Sequence, residues 1–199
     1  MSQRVERIVV KPRHLHYDAC HRLCSAARKL GNQAVYIQRQ KIFAKEPCLN
    51  RAGLDQAVRS GNTELYRSMP SAASAQRQTQ IVHEQFVSWR AAKTAYLADP
   101  SKFKAMPRLP GYSKKYRTFV VGRNGYKVAD GHLILTDNNG VGFPPLKIRS
   151  CENQPFNAKY MVSSPFASVR GIFWVQLPLE GAPMRVLHPI RGEATPLNL

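Results

Sequence analysis

Between Lys102 and Lys127 the chain places eight bases, Lys102, Lys104, Arg108, Lys114, Lys115, Arg117, Arg123 and Lys127, without a single acid. Five rings are interleaved with them: Phe103, Tyr112, Tyr116, Phe119 and Tyr126. Cations neutralise phosphates and rings stack on bases, so this stretch suits a nucleic-acid groove. The competing reading is a solvated loop with a few rings in the adjoining core.

Other chemistry is thin. There is no GxSxG, no Walker sequence, no HExxH and no GxGxxG after a strand. Gly140-Val141-Gly142 lies in a turn cluster and lacks the helix start that a phosphate cradle needs. Metal-assisted phosphodiester cleavage needs two or more converging carboxylates, and the chain has only 12 acids. Asp99, Asp130 and Asp137 fall in turn signals, Asp18 reads as a helix cap, and Glu152, Glu180 and Glu193 stand alone. No catalytic residue is therefore assigned. The enzymatic alternative is a site hidden in residues 150–199, around Glu152 or Glu180.

Cys20 and Cys24 lie four apart with His21 between them and His14 and His16 upstream. That spacing permits a metal site, but an i,i+4 cysteine pair also reads as helix core, and the core reading is preferred because cysteine is among the most buried residue types. The four cysteines have irregular spacing and no CxxC, so they form no disulfide framework. Neither metal nor cofactor is expected.

The formal charge is +18, from 30 Lys+Arg against 12 Asp+Glu, on a chain that is 43% hydrophobic and only 21% charged. A shortage of acids makes the imbalance, not polylysine tracts. Residues 1–60 hold 12 bases and 4 acids and residues 101–150 hold 10 and 2, while 61–100 and 151–199 each hold 4 and 3. A folded body with this charge recruits polyanions, nucleic acid foremost. No apolar run reaches 18 residues, so no membrane span or membrane partner is expected. The apolar run near the N-terminus is too short for a signal-peptide core, and the expected location is the cytoplasm.

Hydrophobic periodicity supplies the elements that must position these groups. Arg4–Lys11 reads as a strand stopped by Pro12. Leu23, Ala27, Leu30, Ala34 and Ile37 recur at steps of four and three, predicting a helix from a cap at Asp18 to about Lys45, with Pro47 as terminator. Gly31 weakens this helix by about 1 kcal/mol relative to alanine. A shorter helix is predicted within Arg51–Ser60, broken by Gly61-Asn62. A third starts at Ser71 or Ser74 and runs to Leu97, ending before Asp99-Pro100. Beyond Pro110-Gly111 the texture becomes β: Tyr116–Val121, Tyr126–Val128, His132–Leu135, Leu146–Arg149, Tyr160–Val162, Val169–Leu177 and Met184–Leu187. The expected fold is α+β, a small β-barrel with a helical bundle inserted after its first strand. Residues 1–12 form that strand, 13–110 the helical domain, 111–187 the barrel and 188–199 an irregular tail.

Particular motifs add a family. Met69-Pro70-Ser71, Ala75-Gln76, Phe86-Val87-Ser88-Trp89, Pro100-Ser101-Lys102-Phe103-Lys104 and Pro107-Arg108-Leu109-Pro110-Gly111-Tyr112 follow one another in this order. Upstream, Asn32, Ala34 and Tyr36 form an Asn-x-Ala-x-Tyr step before Gln38-Arg39-Gln40, and downstream Asp130-Gly131 precedes the strand His132–Leu135. This pattern, over about residues 15–150, resembles the N-terminal half of TnpB, also called OrfB, the insertion-sequence transposase family of RNA-guided nucleases related to small type V CRISPR effectors. The resemblance implies a wedge β-barrel with an inserted recognition domain, partners in a structured guide RNA and duplex DNA, and recognition of a short duplex motif. It also implies a RuvC-like nuclease with a zinc ribbon, yet after Val169 there is no Asp-x-Gly and the chain has no CxxC. The expectation is a truncated frame, a nuclease-less derivative or an N-terminal fragment of a split gene that a separately encoded nuclease half could complete, with a nonfunctional remnant as the alternative.

On that resemblance, Gln76, Arg77 and Gln80 are expected to read base edges, joined by Tyr36, Arg39 and Gln40. Lys102, Lys104, Arg108, Lys114, Lys115 and Arg117 are expected on phosphates. Tyr112 or Tyr116 would stack on an unpaired base. A solvated helix face is the competing reading for Gln76 and Gln80.

Overall fold

The computed structural model describes residues 4–10, 13–114, 117–121, 123–147, 159–163 and 171–177. The chain is α+β. Strand β1 (Arg4–Val10) is followed by four helices, α1 (Tyr17–Phe43), α2 (Arg51–Gly61), α3 (Thr63–Arg67) and α4 (Ala72–Ala98). Six strands come after them: β2 (Phe119–Val121), β3 (Tyr126–Ala129), β4 (His132–Leu135), β5 (Leu146–Lys147), β6 (Lys159–Ser163) and β7 (Gly171–Leu177). The expected strand Met184–Leu187 and the tail 188–199 lie outside the described residues, as do Lys115 and Tyr116.

The strands form two antiparallel sheets. One has the order β1-β7-β6-β2 and the other is the meander β3-β4-β5. β1 and β2 are thus opposite edges of one sheet, and the chain between them is the helical part. All four helices are inserted after the first strand, and Arg4 to Val10 pairs in register with Leu177 to Gly171. Among the described residues neither sheet closes on itself. The β3–β4 turn is Asp130-Gly131 with φ of 49° and 67°, the positive pair a tight right-twisted hairpin needs.

Local chemistry sets the helix ends. The hydroxyl of Ser71, not Ser74, accepts the N–H of Ser74 at 3.3 Å and caps α4. Asn50 caps α2 and Asn62 caps α3 in the same way. Gly61-Asn62, expected as a plain break, therefore ends one helix and starts the next. α1 differs from expectation at both ends. It is preceded by His16, and Asp18 sits exposed in its first turn. The cause is tertiary, because the His16 ring is buried with Nε2 at 3.0 and 3.1 Å from the Pro144 and Pro145 carbonyls. At the other end α1 stops at Phe43, before Pro47 can act. Lys45 turns left-handed, and the N–H groups of Lys45 and Glu46 bond to the carbonyls of Ile42 and Lys41, a Schellman closure.

The core is one cluster. Leu23, Ala27, Leu30 and Ala34 of α1 are fully buried and Ile37 is partly so. They meet Leu54 and Val58 of α2, Val82 and Phe86 of α4, Phe119 and Val121 of β2, and Leu133, Leu135 and Leu146 of the meander. Burying a side chain such as Phe86 or Leu30 contributes about 1.5–3 kcal/mol.

Polar clamps complete this packing. The amide of buried Gln38 donates to the Leu49 carbonyl at 2.9 Å and accepts the Leu49 N–H at 3.0 Å, fixing the α1–α2 loop. Gln78 donates to the Val120 carbonyl at 2.8 Å, tying α4 to β2. The carboxylate of Asp55 accepts Tyr66 Oη at 3.0 Å and Thr79 Oγ1 at 2.9 Å, joining α2, α3 and α4. Asn139 donates to the Met69 carbonyl at 2.7 Å, which docks the 137–140 turn against the start of α4.

Candidate nucleic-acid interface

Residues 99–114 form a strap that leaves the end of α4 and returns across α4 and α1. Asp99 caps a single 3-10 turn, Pro100–Lys102, through the Ser101 N–H at 3.1 Å. Phe103 then packs edge-on against Tyr96, with centroids 5.7 Å apart.

From there the strap is held by its backbone. Trp89 Nε1 of α4 donates to the Pro107 carbonyl at 3.2 Å. Arg39 Nη1 of α1 donates to the Pro110 carbonyl at 3.1 Å. Asn32, seven residues earlier on α1, donates to the Ser113 carbonyl at 3.1 Å and accepts the Ser113 N–H at 2.8 Å. Three prolines, Pro100, Pro107 and Pro110, remove N–H groups from this segment, and helix side chains bond its Pro107, Pro110 and Ser113 backbone groups.

The consequence is that the strap is held without using Lys104, Arg108 or Lys114. Lys104, Arg108 and Lys114 are exposed and make no ion pair among the described residues, while Lys102 is exposed and pairs with Asp99 at 3.1 Å. Tyr112 is also exposed. Acids that might neutralise this surface are engaged elsewhere. Asp55 is occupied by Tyr66 and Thr79, Asp137 accepts the N–H groups of Val141 and Gly142, and Glu84 accepts from Arg77 at 2.9 Å.

Arg117 is placed differently from the strap lysines. Its side chain lies across α1 at Gly31, where an added Cβ would come within 2.6 Å of Nη1, and its Nη2 donates to Gln85 Oε1 of α4 at 2.8 Å. Burial holds its pKa below the ordinary arginine value, but the guanidinium keeps its charge at any ordinary pH. It makes no ion pair among the described residues.

The residues expected to read bases divide into two sets. Gln76 is exposed and Gln80 half-buried, one turn apart on α4, while the Arg77 side chain is mostly covered and held by Glu84. On α1, Tyr36 and Gln40 are exposed on one face. Arg39 between them points its guanidinium at two rings, 5.3 Å from the Phe43 centroid and 5.5 Å from that of Tyr112. Among the described residues the α1 set makes no hydrogen bond to the α4 set. Asn32, Gln85, Trp89 and Phe43 also belong to this region, although sequence reasoning does not assign them to it. The i, i+4 step from Arg39 to Phe43 is the available signal.

Cys20 and Cys24 lie in the core. Burial, the largest cause, pushes both thiols up, Cys24 to about 12. His16 sets Nε2 against the two proline carbonyls, and among the described residues no three His, Cys, Asp or Glu side chains are placed to hold a metal. Among those residues no helix is long and apolar enough to cross a membrane. No known family model matches this chain, and no curated protein matches it either.

Proposed function

We propose that the chain is a cytoplasmic nucleic-acid-binding module of the TnpB type. It grips a structured guide RNA and an adjoining duplex DNA through phosphate contacts, and it reads a short duplex motif. One observation carries this reading: Lys104, Arg108 and Lys114 stand exposed, with no ion pair among the described residues, on a strap whose backbone is pinned by Asn32, Arg39 and Trp89. A strap ordered before binding loses little entropy when its cations meet phosphates.

In this reading the two sheets belong to a wedge barrel, and exposed Gln76, with Gln80, reads base edges from α4. Among the described residues no three His, Cys, Asp or Glu side chains converge on a metal, and in this reading hydrolysis falls to a separately encoded nuclease half. The experiment is equilibrium binding of structured RNA and duplex DNA between about 50 and 200 mM salt. Affinity falling roughly tenfold or more over that range supports the reading, and a flat response overturns it.

A further inference from the structure

Two exposed rings, Phe43 and Tyr112, flank the Arg39 guanidinium, and exposed Tyr36 lies one turn away on the same helix. Phe43 is 60% exposed, Tyr36 53% and Tyr112 49%. Tyr36, Arg39 and Phe43 follow one another at steps of three and four on α1, which places them on one face. Tyr112 reaches the same spot from the strap, and the Arg39 guanidinium contacts both its ring and that of Phe43. Arg39 is itself fixed by its bond to the Pro110 carbonyl. From Tyr36 to Phe43 there is no acid, and the next one, Glu46, is paired with Lys41.

Three exposed rings beside a cation form an apolar patch of the kind that marks an interaction surface. A flat π-face carried by the next molecule would cover them. We infer that Tyr36, Arg39, Phe43 and Tyr112 form a platform on which unpaired bases of a nucleic-acid strand stack. Base–ring and base–guanidinium stacking is sequence-tolerant, because every base has a π-face. The exposed Arg108 and Lys114 flank Tyr112 along the strap and supply the phosphate contacts that charge complementarity requires.

The occupant is a single strand. Bases inside a duplex present only edges in the grooves, whereas splayed bases offer faces. This inference rests on the nucleic-acid reading above and deepens it, moving Tyr36 and Arg39 from edge reading in duplex to stacking on an open strand.

The test uses single-stranded oligo(dT) and oligo(U) of about ten nucleotides, an abasic strand of equal length, and a duplex. The wild-type chain is expected to bind the base-bearing strands better than the abasic one. Phe43→Ala and Tyr112→Ala should each weaken the base-bearing strands by roughly fivefold to a hundredfold, the loss of one stack, and leave abasic and duplex affinity unchanged. Phe43→Tyr, which keeps a ring, should restore the difference. A 2-aminopurine in the strand should be quenched by the wild type and not by Phe43→Ala. A preference for oligo(U) would mark an RNA strand and a preference for oligo(dT) an opened DNA strand, and either upholds the platform. Equal affinity of the wild type for abasic and base-bearing strands overturns it. So does a weakening in Phe43→Ala that is the same on duplex and single strand. Salt-dependent duplex binding that survives such a result would leave the broader nucleic-acid reading standing.

Discussion

Gly31 and Arg117 occupy the same space from opposite sides: a Cβ on Gly31 would lie 2.6 Å from Nη1, 2.7 Å from Cδ and 2.9 Å from Cζ of Arg117. Helix propensity alone would favour alanine at position 31 by about 1 kcal/mol. The glycine instead lets a charged side chain cross the face of α1 and reach Gln85 on α4. Gly31→Ala is expected to destabilise the protein by about 1 kcal/mol or more, because Arg117 must leave its place. In an Arg117→Ala background the same substitution should become stabilising by up to about 1 kcal/mol. Denaturant midpoints of the two singles and the double give the sign, and stabilisation by Gly31→Ala in both backgrounds would contradict the packing.

The Asp55 junction gives an alkaline signature. Burial first, and then the charge of Asp55, raise the pKa of Tyr66 above the ordinary phenol value. Its stabilising contribution is therefore complete below about pH 10 and is lost as pH rises through the higher folded value. Tyr66→Phe should cost about 1 kcal/mol at neutral pH and flatten the loss of stability above about pH 10. Asp55→Ala, which leaves the Tyr66 hydroxyl without its acceptor while Thr79 Oγ1 keeps the Gln76 carbonyl, should cost about 1–3 kcal/mol. Unfolding curves collected at increasing pH measure both effects, and an unchanged alkaline slope in Tyr66→Phe would refute the assignment.

Seating of the strap can be read by protease. Asn32→Ala removes both bonds to Ser113, and the strap around Arg108 and Lys114 should open locally. Trypsin is expected to cut after these residues several-fold faster than in the wild type, while global stability falls by only about 1–2 kcal/mol. An unchanged cleavage rate would mean that the clamp does not hold the strap.

Phosphate contacts and base reading separate by salt and by sequence. Replacing Lys104, Arg108 and Lys114 by Gln should lower the slope of log affinity against log salt on duplex DNA by about 0.9 for each phosphate left unneutralised, alike on all sequences. Gln76→Ala with Gln80→Ala should relax sequence preference and leave the slope intact. Uniform weakening by the double alanine variant would assign both glutamines to the solvated face of α4.

Legibility of the chain follows the scale of the interaction. Stripe positions Leu23 to Ala34, the Asp130-Gly131 hairpin and the Ser71 cap depend on neighbours within a turn or two, and each is readable as periodicity or turn chemistry. The N-terminal half of α4 is less so, because its buried face mixes Ser74, Gln78 and Thr79 with Ala75 and Val82. Those polar residues look solvated until Val120 and Asp55 are brought beside them. The start of α1 departs from expectation for the same reason, since His16 is buried by carbonyls 128 and 129 residues away.

The sequence by itself determined that the molecule is cationic, how its charge is divided, where the three longer helices lie, and that helices follow a first strand and precede a β-rich part. These follow from composition and from periods of 3.6 and 2, which are properties of contiguous residues. Only the tertiary structure decided which cations remain available. Lys104 and Lys114 stand in solvent, Arg77 is taken by Glu84, Arg39 lies against two rings, and Arg117 is packed across Gly31. The physical reason is that a charge is set by residue type, whereas its desolvation and its partners are set by what the fold places within a few ångströms of it.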